Sequence, residues 1–428
     1  MLKSVTTTTG FSIIIQFAGL ISGVLIARML GAEGRGELAV ILMWPTIIAT
    51  AGLLGVDVIL ARKSSEYESF DAKLYGIALF YSLILGILYV FIMHLTLPFL
   101  LSGEKIYLLP LAKKITWYIP FSLLTVYLCS IMLGRGDIKR YNYFRLLFSP
   151  IYIITLLALF TFYDVDVGDI VHGFILSTFL TGVLLFVYSQ KNCRKTNSKP
   201  FDKINILKEG FSFGVSSIIY ALSTQLPFIL LAAFVDVKAI GFFAVAYVVS
   251  TVHMPFGNAI GKVLFSEAAL SSNSGADSGP YRFRLILLIY IFVALLTLLL
   301  APLLLSVLYG PGFSDAIPML NYLIPATCIM VVTNIMDETL KGYGISRPGI
   351  LARLTGILIL ISVGYLFIGA MGTQGVLYAL LIKSLIEFYV ISDRLASFYK
   401  VSNVVLFRYK MDDIVYLKKI LKIYSLKS

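Results

Sequence analysis

The sequence predicts an all-α polytopic membrane protein of about 12 transmembrane helices, in two six-helix lobes related by a parallel pseudo-two-fold repeat. Three observations predict this fold class: the composition, the recurrence of long apolar segments and an internal repeat. Of the 428 residues, 59% are hydrophobic and 14% are charged, whereas soluble domains carry about 25% charged residues. The mean hydropathy is +0.91. This composition lies outside the range of globular domains.

Long apolar segments recur from one end of the chain to the other. A spanning helix needs about 20 mostly apolar residues, and a window of about 19 residues locates the candidates. The first six spans are predicted at residues 8–29, 37–61, 74–101, 115–134, 143–163 and 169–189. The second six are predicted at residues 210–234, 239–265, 284–308, 315–340, 350–369 and 373–395. The first segment is long and lacks a small-residue cleavage site, so we interpret it as a retained helix.

The placement of Lys and Arg predicts the orientation. The net charge is +12, and most of the 35 Lys and Arg residues lie on the side of the N-terminus, in segments such as 62–73, 135–145, 191–208 and 341–353. Cytoplasmic loops are enriched in Lys and Arg. We therefore predict that both termini are cytoplasmic. The same placement argues against nucleic acid as a partner.

The basic connection near the middle divides the chain. The predicted organisation is an N-terminal lobe at 1–190, a basic cytoplasmic linker at 191–208, a C-terminal lobe at 209–395 and a basic amphipathic tail at 396–428. Residues 404–424 would place apolar residues on one helical face and lysines on the other, as a helix lying on a membrane surface does. A disordered basic tail is the alternative, and both stay open.

The two halves of the sequence share identical residues at two nearly equal sequence offsets. Residues 36–60 align with residues 241–265 at an offset of 205, matching Gly36/Gly241, Ala39/Ala244, Val40/Val245, Thr46/Thr251, Gly52/Gly257 and Val58/Val263. At an offset of 208, Gly134-Arg-Gly136 aligns with Gly342-Tyr-Gly344. Six spans per half is an even number, so both halves insert in the same orientation. The repeat is therefore parallel, with its axis along the membrane normal.

The segment after the first span carries a resemblance. Residues 28–39, Arg-Met-Leu-Gly-Ala-Glu-Gly-Arg-Gly-Glu-Leu-Ala, resemble the signature of Wzx-type polysaccharide (O-antigen) flippases, which belong to the multidrug/oligosaccharidyl-lipid/polysaccharide exporter superfamily. The segments at 241–247 and 342–348 resemble the second-half motifs of that family, and the resemblance covers roughly residues 5–395. It implies two six-helix lobes in a V and a location in the bacterial inner (plasma) membrane. Many relatives carry an Arg and an Asp midway along the seventh span, where this chain reads Ser-Thr-Gln-Leu-Pro at 223–227.

Asp57 and Lys262 are the candidate gate residues. Ionisable groups inside spans are expensive and usually face a bundle interior or a cavity. The repeat offset of 205 places these two at equivalent positions near the cytoplasmic ends of the second and eighth spans. We hypothesise that they form a salt bridge when the cytoplasmic mouth closes and separate to admit substrate. The alternative is that each side chain reaches the nearby interface by itself.

Other polar residues within the spans are further candidates for the substrate path. Lys383 and Glu387 are four residues apart on one helix face, which favours a structural pair over a transport role. Asp337 lies at the cytoplasmic end of the tenth span, where solvation is easy. His94 is interpreted as an interior histidine, with proton coupling as the alternative. Gln225 hydrogen-bonds either a neighbouring helix or a substrate headgroup.

Arg28, Glu33, Arg35 and Glu37 flank a Gly-rich turn on the predicted outer face. Two interpretations stay open for this group. The four side chains pair with one another and fix the turn, or they take part in closing the outer face.

Enzyme motifs are missing from the sequence. Residues 257–262, Gly-Asn-Ala-Ile-Gly-Lys, are one residue short of a phosphate-binding P-loop and lack its Ser/Thr. The three cysteines show no ligand or disulfide spacing. We therefore predict a protein that is not an enzyme and uses no cofactor and no metal.

The resemblance and the composition together predict a flippase. It would move a polyprenyl-pyrophosphate-linked oligosaccharide from the cytoplasmic to the periplasmic leaflet by alternating access. Its expected partners are that lipid, the bilayer and other polysaccharide assembly proteins, with protons or sodium as candidate coupling ions. The alternative is a cation-coupled multidrug (MATE-like) exporter. A membrane polymerase or ligase would need a large outer loop, and the longest predicted one, 102–114, leaves no room for one.

Overall fold

The computed structural model describes residues 2–65, 72–101, 103–162, 164–191, 203–271, 279–403 and 406. Over these residues the chain is helical and no β-strand is present. The first half contains α1 Leu2–Ala51, α2 Val56–Ser65, α3 Ala72–Leu100, α4 Leu109–Ile115, α5 Ile119–Gly134, α6 Ile138–Phe162 and α7 Val167–Lys191. The second half contains α8 Lys203–Phe234, α9 Val237–Ser250, α10 Met254–Ser271, α11 Gly279–Tyr309, α12 Ile317–Gly342, α13 Arg347–Met371 and α14 Thr373–Phe398.

Helix α1 crosses the bundle twice. Its 50 residues would extend about 75 Å at 1.5 Å per residue, more than twice the roughly 30 Å of a bilayer core. Gly31 interrupts it with φ 68 and ψ −171, a conformation that glycine adopts without steric cost. Asn142, near the start of α6, donates to Thr8, whereas Arg28 donates to the Leu308 carbonyl near the end of α11. Residues 2–30 and 32–51 are therefore two antiparallel spans.

Twelve spans result from this division. Ten helices among the described residues are long and apolar enough to cross a membrane, and α9 and α10 together make one more, bent by 47°. Counting α1 as two spans gives the predicted 12, with the second span continuing into α2. We call the end of the bundle formed by residues 62–65, 72–73, 135–145 and 341–353 the basic face, and the other end the opposite face. The predicted fold class is confirmed.

The internal repeat appears in the turns that end the fourth span of each half. Gly136 follows α5 with φ 73, and Gly344 follows α12 with φ 82. In both turns the glycine N–H donates to the carbonyl three residues earlier, and the next N–H donates to the carbonyl five residues earlier. The same backbone hydrogen bonds therefore recur at an offset of 208, as the sequence predicts.

The two lobes touch at the opposite face through a pair of glycines. A Cβ atom on Gly36 would collide with the carbonyl oxygen of Val237, and a Cβ atom on Gly241 would collide with that of Ala32. Residues 32 and 237 are related by the same offset of 205 as residues 36 and 241. The contact is therefore reciprocal, and the pseudo-two-fold axis passes between the two glycines. Any side chain at either position would separate the lobes.

At the basic face the lobes meet between the second and seventh spans. Gly55, in the turn before α2, has φ 73, and a Cβ atom there would collide with the backbone of Gly210 in α8. Arg62 of α2 donates to Glu209 of α8 at 2.7 Å. Both side chains of this ion pair are largely exposed, so its contribution to stability is small, about 0–1 kcal/mol.

Two predicted segments are not tested by this structure. Most of the predicted linker and the amphipathic segment 404–424 lie outside the described residues, apart from residue 406. The lobe boundaries at residues 190 and 209 therefore stay predictions.

Candidate functional site

Helix α10 presents a polar strip toward the space between the lobes. Asn258, Lys262 and Phe265 follow at intervals of four and three residues, so they lie on one face of the helix. All three side chains are exposed. The exposed Asn258 and Lys262 are not expected to face lipid, because each unpaired polar group in hydrocarbon costs several kcal/mol. They therefore favour a hydrated environment on this side of α10.

The bend between α9 and α10 determines where this strip lies. The bend occupies residues Thr251 to His253, and the His253 ring is buried and hydrogen-bonded to Tyr290 of α11 and Thr327 of α12. Thr327 also donates to the last carbonyl of α9 at 3.0 Å. From the other lobe, the Gln16 amide donates to the Thr251 hydroxyl at 3.4 Å. Side chains from three other spans therefore hold the bend.

Arg145 of α6, in the other lobe, lies near this strip. Its guanidinium carbon is 5.3 Å from the centre of the Tyr141 ring, a distance typical of a cation–π contact. Lys262 lies within electrostatic range of Arg145 and, in its own lobe, of Glu338. Neither Arg145 nor Lys262 forms an ion pair with any residue that the structure describes. Two cations from opposite lobes thus lie near each other without an ion pair.

This arrangement favours an anionic ligand. Like charges held near each other repel, and an opposite charge between them removes that repulsion. Phosphate groups suit such a site because a guanidinium can bind two of their oxygens at once, while an ammonium acts as a point charge. The chemistry that the site offers is binding of a phosphate or pyrophosphate, without any group positioned for bond cleavage.

The predicted gate pair Asp57–Lys262 is not formed in this conformation. Asp57 lies in the first turn of α2, within electrostatic range of Tyr127 in its own lobe, and its Oδ1 is buried without a hydrogen-bond partner. Equivalent residues meet across a two-fold axis only where the axis is close, as it is for the glycines at the opposite face. The gate stays a prediction for a conformation in which the basic-face mouth is closed.

The predicted outer-face turn does not pair internally. Arg28 donates from Nε to the Leu308 carbonyl at 2.8 Å and from Nη2 to the Val307 carbonyl at 3.1 Å, which ties the first span to the end of α11. Glu37 accepts a hydrogen bond of 2.7 Å from Tyr107. Of the two interpretations left open, these contacts favour a part for Arg28 in closing the opposite face.

The acidic side chains of this turn line a surface pocket. Glu33 and Glu37 border a cavity of about 450 Å³ on the N-terminal lobe, together with Tyr107 and Asp166. Arg35 does not join them. Its Nε is buried without a hydrogen-bond partner, and the charged or polar groups near its guanidinium are the hydroxyls of Tyr309 and Tyr152.

Asp337 and Lys383 belong to ion pairs inside the C-terminal lobe. Asp337 is 3% exposed and pairs with Lys341 at 2.9 Å and with Arg353 of α13 at 3.4 Å. Lys383 is 1% exposed and pairs with Glu387 at 3.2 Å. Both residues are neutralised within their lobe, which fits the structural pairing favoured for Lys383 and its neighbour. Their placement in the substrate path is not supported by a contact with the other lobe.

His94 and Gln225 lie apart from these groups. The His94 ring nitrogen Nδ1 is 2.9 Å from the Val90 carbonyl one turn earlier in α3, a helix that packs on α5 at the outside of its lobe. Gln225 is half-buried on α8 and makes no hydrogen bond to the part of the chain that the structure describes. The roles predicted for both residues stay predictions.

Arg145 is missing from the candidates predicted from the sequence, where it counts among the cations of the connection 135–145. The repeat contains a signal that could have identified it. At the offset of 208, Arg145 aligns with Arg353, so each half carries an arginine two turns into its fifth span. A cation at this depth is expensive unless it has a partner or faces a cavity.

The described residues contain no group of three or more His, Cys, Asp or Glu side chains placed to hold a metal ion. The two described cysteines, Cys129 and Cys328, are free thiols.

The fold resembles solved membrane transporters. It matches the lipid II flippase MurJ in an inward closed conformation at 15% identity and a TM-score of 0.75, covering 97% of this chain and 96% of that one. It matches an inward-facing multidrug resistance MATE family transporter at 17% identity and a TM-score of 0.71, covering 91% of this chain and 96% of that one. An outward-facing MATE transporter gives a TM-score of 0.62 at 17% identity, covering 94% and 97%. No curated protein sequence matches the chain.

The fold and the site define a multi-pass helical membrane protein of two repeated lobes, the architecture of the multidrug/oligosaccharidyl-lipid/polysaccharide exporter superfamily. The family model described as "Polysaccharide biosynthesis protein" matches residues 1–265. The chain belongs to this polysaccharide biosynthesis family.

Proposed function

We propose that the protein is a flippase for a polyprenyl-pyrophosphate-linked oligosaccharide. It moves the headgroup from the cytoplasmic leaflet, at the basic face, to the periplasmic leaflet, at the opposite face. The observation that carries this proposal is the pair of cations, Arg145 and Lys262, that lie within electrostatic range of each other in opposite lobes and form no ion pair with the described residues. Membership of the polysaccharide biosynthesis family supports the same substrate class.

The polarity of the headgroup explains why transport needs a hydrated space. A sugar-pyrophosphate headgroup cannot cross hydrocarbon, because each unpaired polar group there costs several kcal/mol. A hydrated space between the lobes carries the headgroup, while the polyprenyl tail stays in the lipid. Arg145 and Lys262 bind the pyrophosphate as it enters from the basic face. An inside-negative membrane potential favours outward movement of this anion by roughly 2.3 kcal/mol per charge per 100 mV.

Exposed polar side chains support a substrate entrance at the basic face, where Lys262 and Asn258 are exposed. The lobes touch at both ends of the bundle, between Gly36 and Gly241 at the opposite face and between Gly55 and Gly210 at the basic face. At the opposite face Arg28 also ties the first span to α11. The multidrug exporter is less well supported, because a drug cation would be repelled by Arg145 and Lys262.

Deletion of the gene in its host tests the function. In a strain with no other flippase gene for the same polymer, we expect polyprenyl-pyrophosphate-linked oligosaccharide to accumulate and the surface polysaccharide to disappear. Mass spectrometry of extracted lipids and a stain of the cell surface measure the two effects. Unchanged lipids together with a normal surface would contradict the proposal.

Variants of the two cations test the site. Arg145→Gln and Lys262→Gln should each fail to restore the surface polymer in the deletion strain, with at least a tenfold loss of transport. Lys139→Gln is the matched control, since Lys139 is an exposed cation of the same helix as Arg145 and its loss should leave transport near the level of the intact gene. Equal activity of all three variants would show that the two cations do not bind the substrate.

A further inference from the structure

Arg35 is a half-buried cation that the proposed entrance site does not use. It lies four residues beyond the reversal at Gly31, in the part of the second span nearest the opposite face. Its guanidinium is within electrostatic range of Tyr152 of α6 and of Tyr309 at the end of α11, which belong to different lobes. It makes no ion pair and no hydrogen bond with any residue that the structure describes, and its Nε has no access to solvent.

The neighbouring acids are committed elsewhere. Glu37 accepts from Tyr107, and Glu33 is exposed at the surface pocket on the N-terminal lobe. The Tyr309 hydroxyl is also buried without a hydrogen-bond partner. A guanidinium and a hydroxyl, both able to donate and both unpaired, are therefore close together behind the closed opposite face.

Such an arrangement is costly unless a ligand completes it. A buried donor without an acceptor is unfavourable, and the Arg35 Nε and the Tyr309 hydroxyl are two such groups. A structural arginine would be expected to have a carboxylate or backbone carbonyls around it, as Arg28 has on the other side of Tyr309. The unpaired donors of Arg35 and Tyr309 instead fit the oxygens of a phosphate group, which accept hydrogen bonds from both.

Helix α6 connects this place with the entrance site. Arg145 and Tyr152 are seven residues apart on α6, two turns along the same face and about 10 Å along the helix axis. Phe148 lies between them and stacks on the Tyr152 ring, with centroids 5.3 Å apart. The side chains near Arg35 are thus about 10 Å further toward the opposite face than the entrance cation.

We propose that Arg35 and Tyr309 form a second phosphate site, which receives the pyrophosphate from Arg145 and Lys262 as the lobes rearrange. This proposal rests on the proposed function for the identity of the anion. The ligand class is a phosphate or pyrophosphate ester, and the site holds it near the opposite face before release. Two sites in series divide the passage of the charge into two shorter steps.

Binding of inorganic pyrophosphate to the purified full-length protein tests the second site. In the double variant Arg145→Gln/Lys262→Gln, pyrophosphate should still raise the melting temperature, and adding Arg35→Gln should abolish that residual shift. Adding Lys238→Gln instead is the matched control, because Lys238 is an exposed cation near the opposite face, and it should leave the shift intact. A residual shift that survives the loss of Arg35 would overturn the proposal.

The melting temperature without ligand separates a binding role from a structural one. Arg35→Gln should leave it nearly unchanged, because Arg35 makes no ion pair and no hydrogen bond with the residues that the structure describes, whereas loss of a structural arginine would lower it. If Arg35→Gln does not fold, Arg35→Lys distinguishes the binding role of Arg35 from a structural role. Lysine keeps the charge but lacks the planar fork of donors, so the pyrophosphate affinity in the double-variant background should fall about tenfold. An unchanged affinity in that background would again overturn the proposal.

The two proposals can fail separately. Pyrophosphate binding that depends on Arg35, in a protein whose deletion leaves lipid-linked oligosaccharide unchanged, would keep the anion site and reject the flippase. Lipid accumulation on deletion, together with normal transport by Arg35→Gln, would keep the flippase and reject the second site.

Discussion

Arg145 and Arg353 occupy equivalent positions in the two lobes, at the repeat offset of 208, yet their surroundings differ. Arg353 pairs with Asp337 at 3.4 Å, and Asp337 also pairs with Lys341. In the N-terminal lobe the residue equivalent to Asp337 is Cys129. Arg145 therefore has a thiol nearby where Arg353 has a carboxylate, and its charge stays available to a ligand.

Glycines make room for the carboxylates of the C-terminal lobe. A Cβ atom on Gly349 would collide with the Asp337 carboxylate, and a Cβ atom on Gly356 would collide with that of Glu387. The equivalent positions in the N-terminal lobe are Tyr141 and Phe148. The ring of Tyr141 lies against Arg145. The C-terminal lobe thus packs glycines against the carboxylates of its ion pairs, whereas the N-terminal lobe has aromatic residues at the equivalent positions around Arg145.

The difference shows that the repeat preserves backbone geometry and not side-chain chemistry. The last three spans of the C-terminal lobe neutralise Lys341, Arg353 and Lys383 among themselves, and the pair of Arg353 with Asp337 joins two of these spans. The N-terminal lobe leaves its equivalent cation without a counter-charge. In a membrane protein an unneutralised cation at a cavity indicates a ligand site, and a neutralised one indicates structure.

Removal of Lys383 should have the largest effect on stability. Lys383→Met leaves the buried Glu387 carboxylate without its partner, and breaking one half of a buried ion pair costs about 3–5 kcal/mol. Thermal unfolding in detergent would show a large decrease in melting temperature. The double variant Lys383→Met/Glu387→Met should recover most of the loss, since no lone charge remains. A mild effect of the single variant would mean that Glu387 does not depend on Lys383.

The equivalent arginines should respond in opposite ways. Arg353→Gln should destabilise the protein by about 1–3 kcal/mol, because Asp337 loses one of its partners. Arg145→Gln should leave the melting temperature nearly unchanged and reduce pyrophosphate binding. Thermal unfolding curves and pyrophosphate titrations of Arg353→Gln and Arg145→Gln compare their stability and their affinity. Equal destabilisation by the two substitutions would show that Arg145 is as structural as Arg353.

A carboxylate placed in the N-terminal lobe should make the two lobes alike. Cys129→Asp gives Arg145 the partner that Arg353 has in Asp337. We expect the pyrophosphate affinity to fall about tenfold, which corresponds to 1.4 kcal/mol, because the guanidinium is then neutralised within its own lobe. Cys129→Asn is the uncharged control of the same size. Pyrophosphate titration measures the affinity of both variants. Equal affinities of Cys129→Asp and Cys129→Asn would contradict the neutralisation of Arg145 by the introduced carboxylate.

Much of the fold follows from particular residues of the sequence. The 12 apolar segments predict the spans, and the identities at offsets of 205 and 208 predict the parallel repeat. The glycine pair 36/241 even marks where the lobes touch, since only glycine permits that backbone contact. The bend within the eighth span is not predicted by such identities. His253 lies inside the predicted span 239–265, and its place at the bend depends on hydrogen bonds to residues 37 and 74 positions away.

The candidate site was predicted only in part. Lys262 follows from the rule that ions inside spans face cavities, but its proposed partner Asp57 lies against its own lobe. The sequence places Arg145 in the connection 135–145, because hydropathy locates the ends of a span only within several residues. Whether a cation is neutralised depends on which helices surround it, and no local pattern reports that.

The sequence by itself determined the membrane class, the number of spans, the repeat and the family resemblance. Each of these depends on hydrophobicity and on local identities, which are properties of the linear chain. Only the tertiary structure decided which charges are paired and which are free. That distinction depends on distances of a few ångströms between helices far apart in sequence, and it separates the ion pairs of the C-terminal lobe from the free cations Arg145, Lys262 and Arg35.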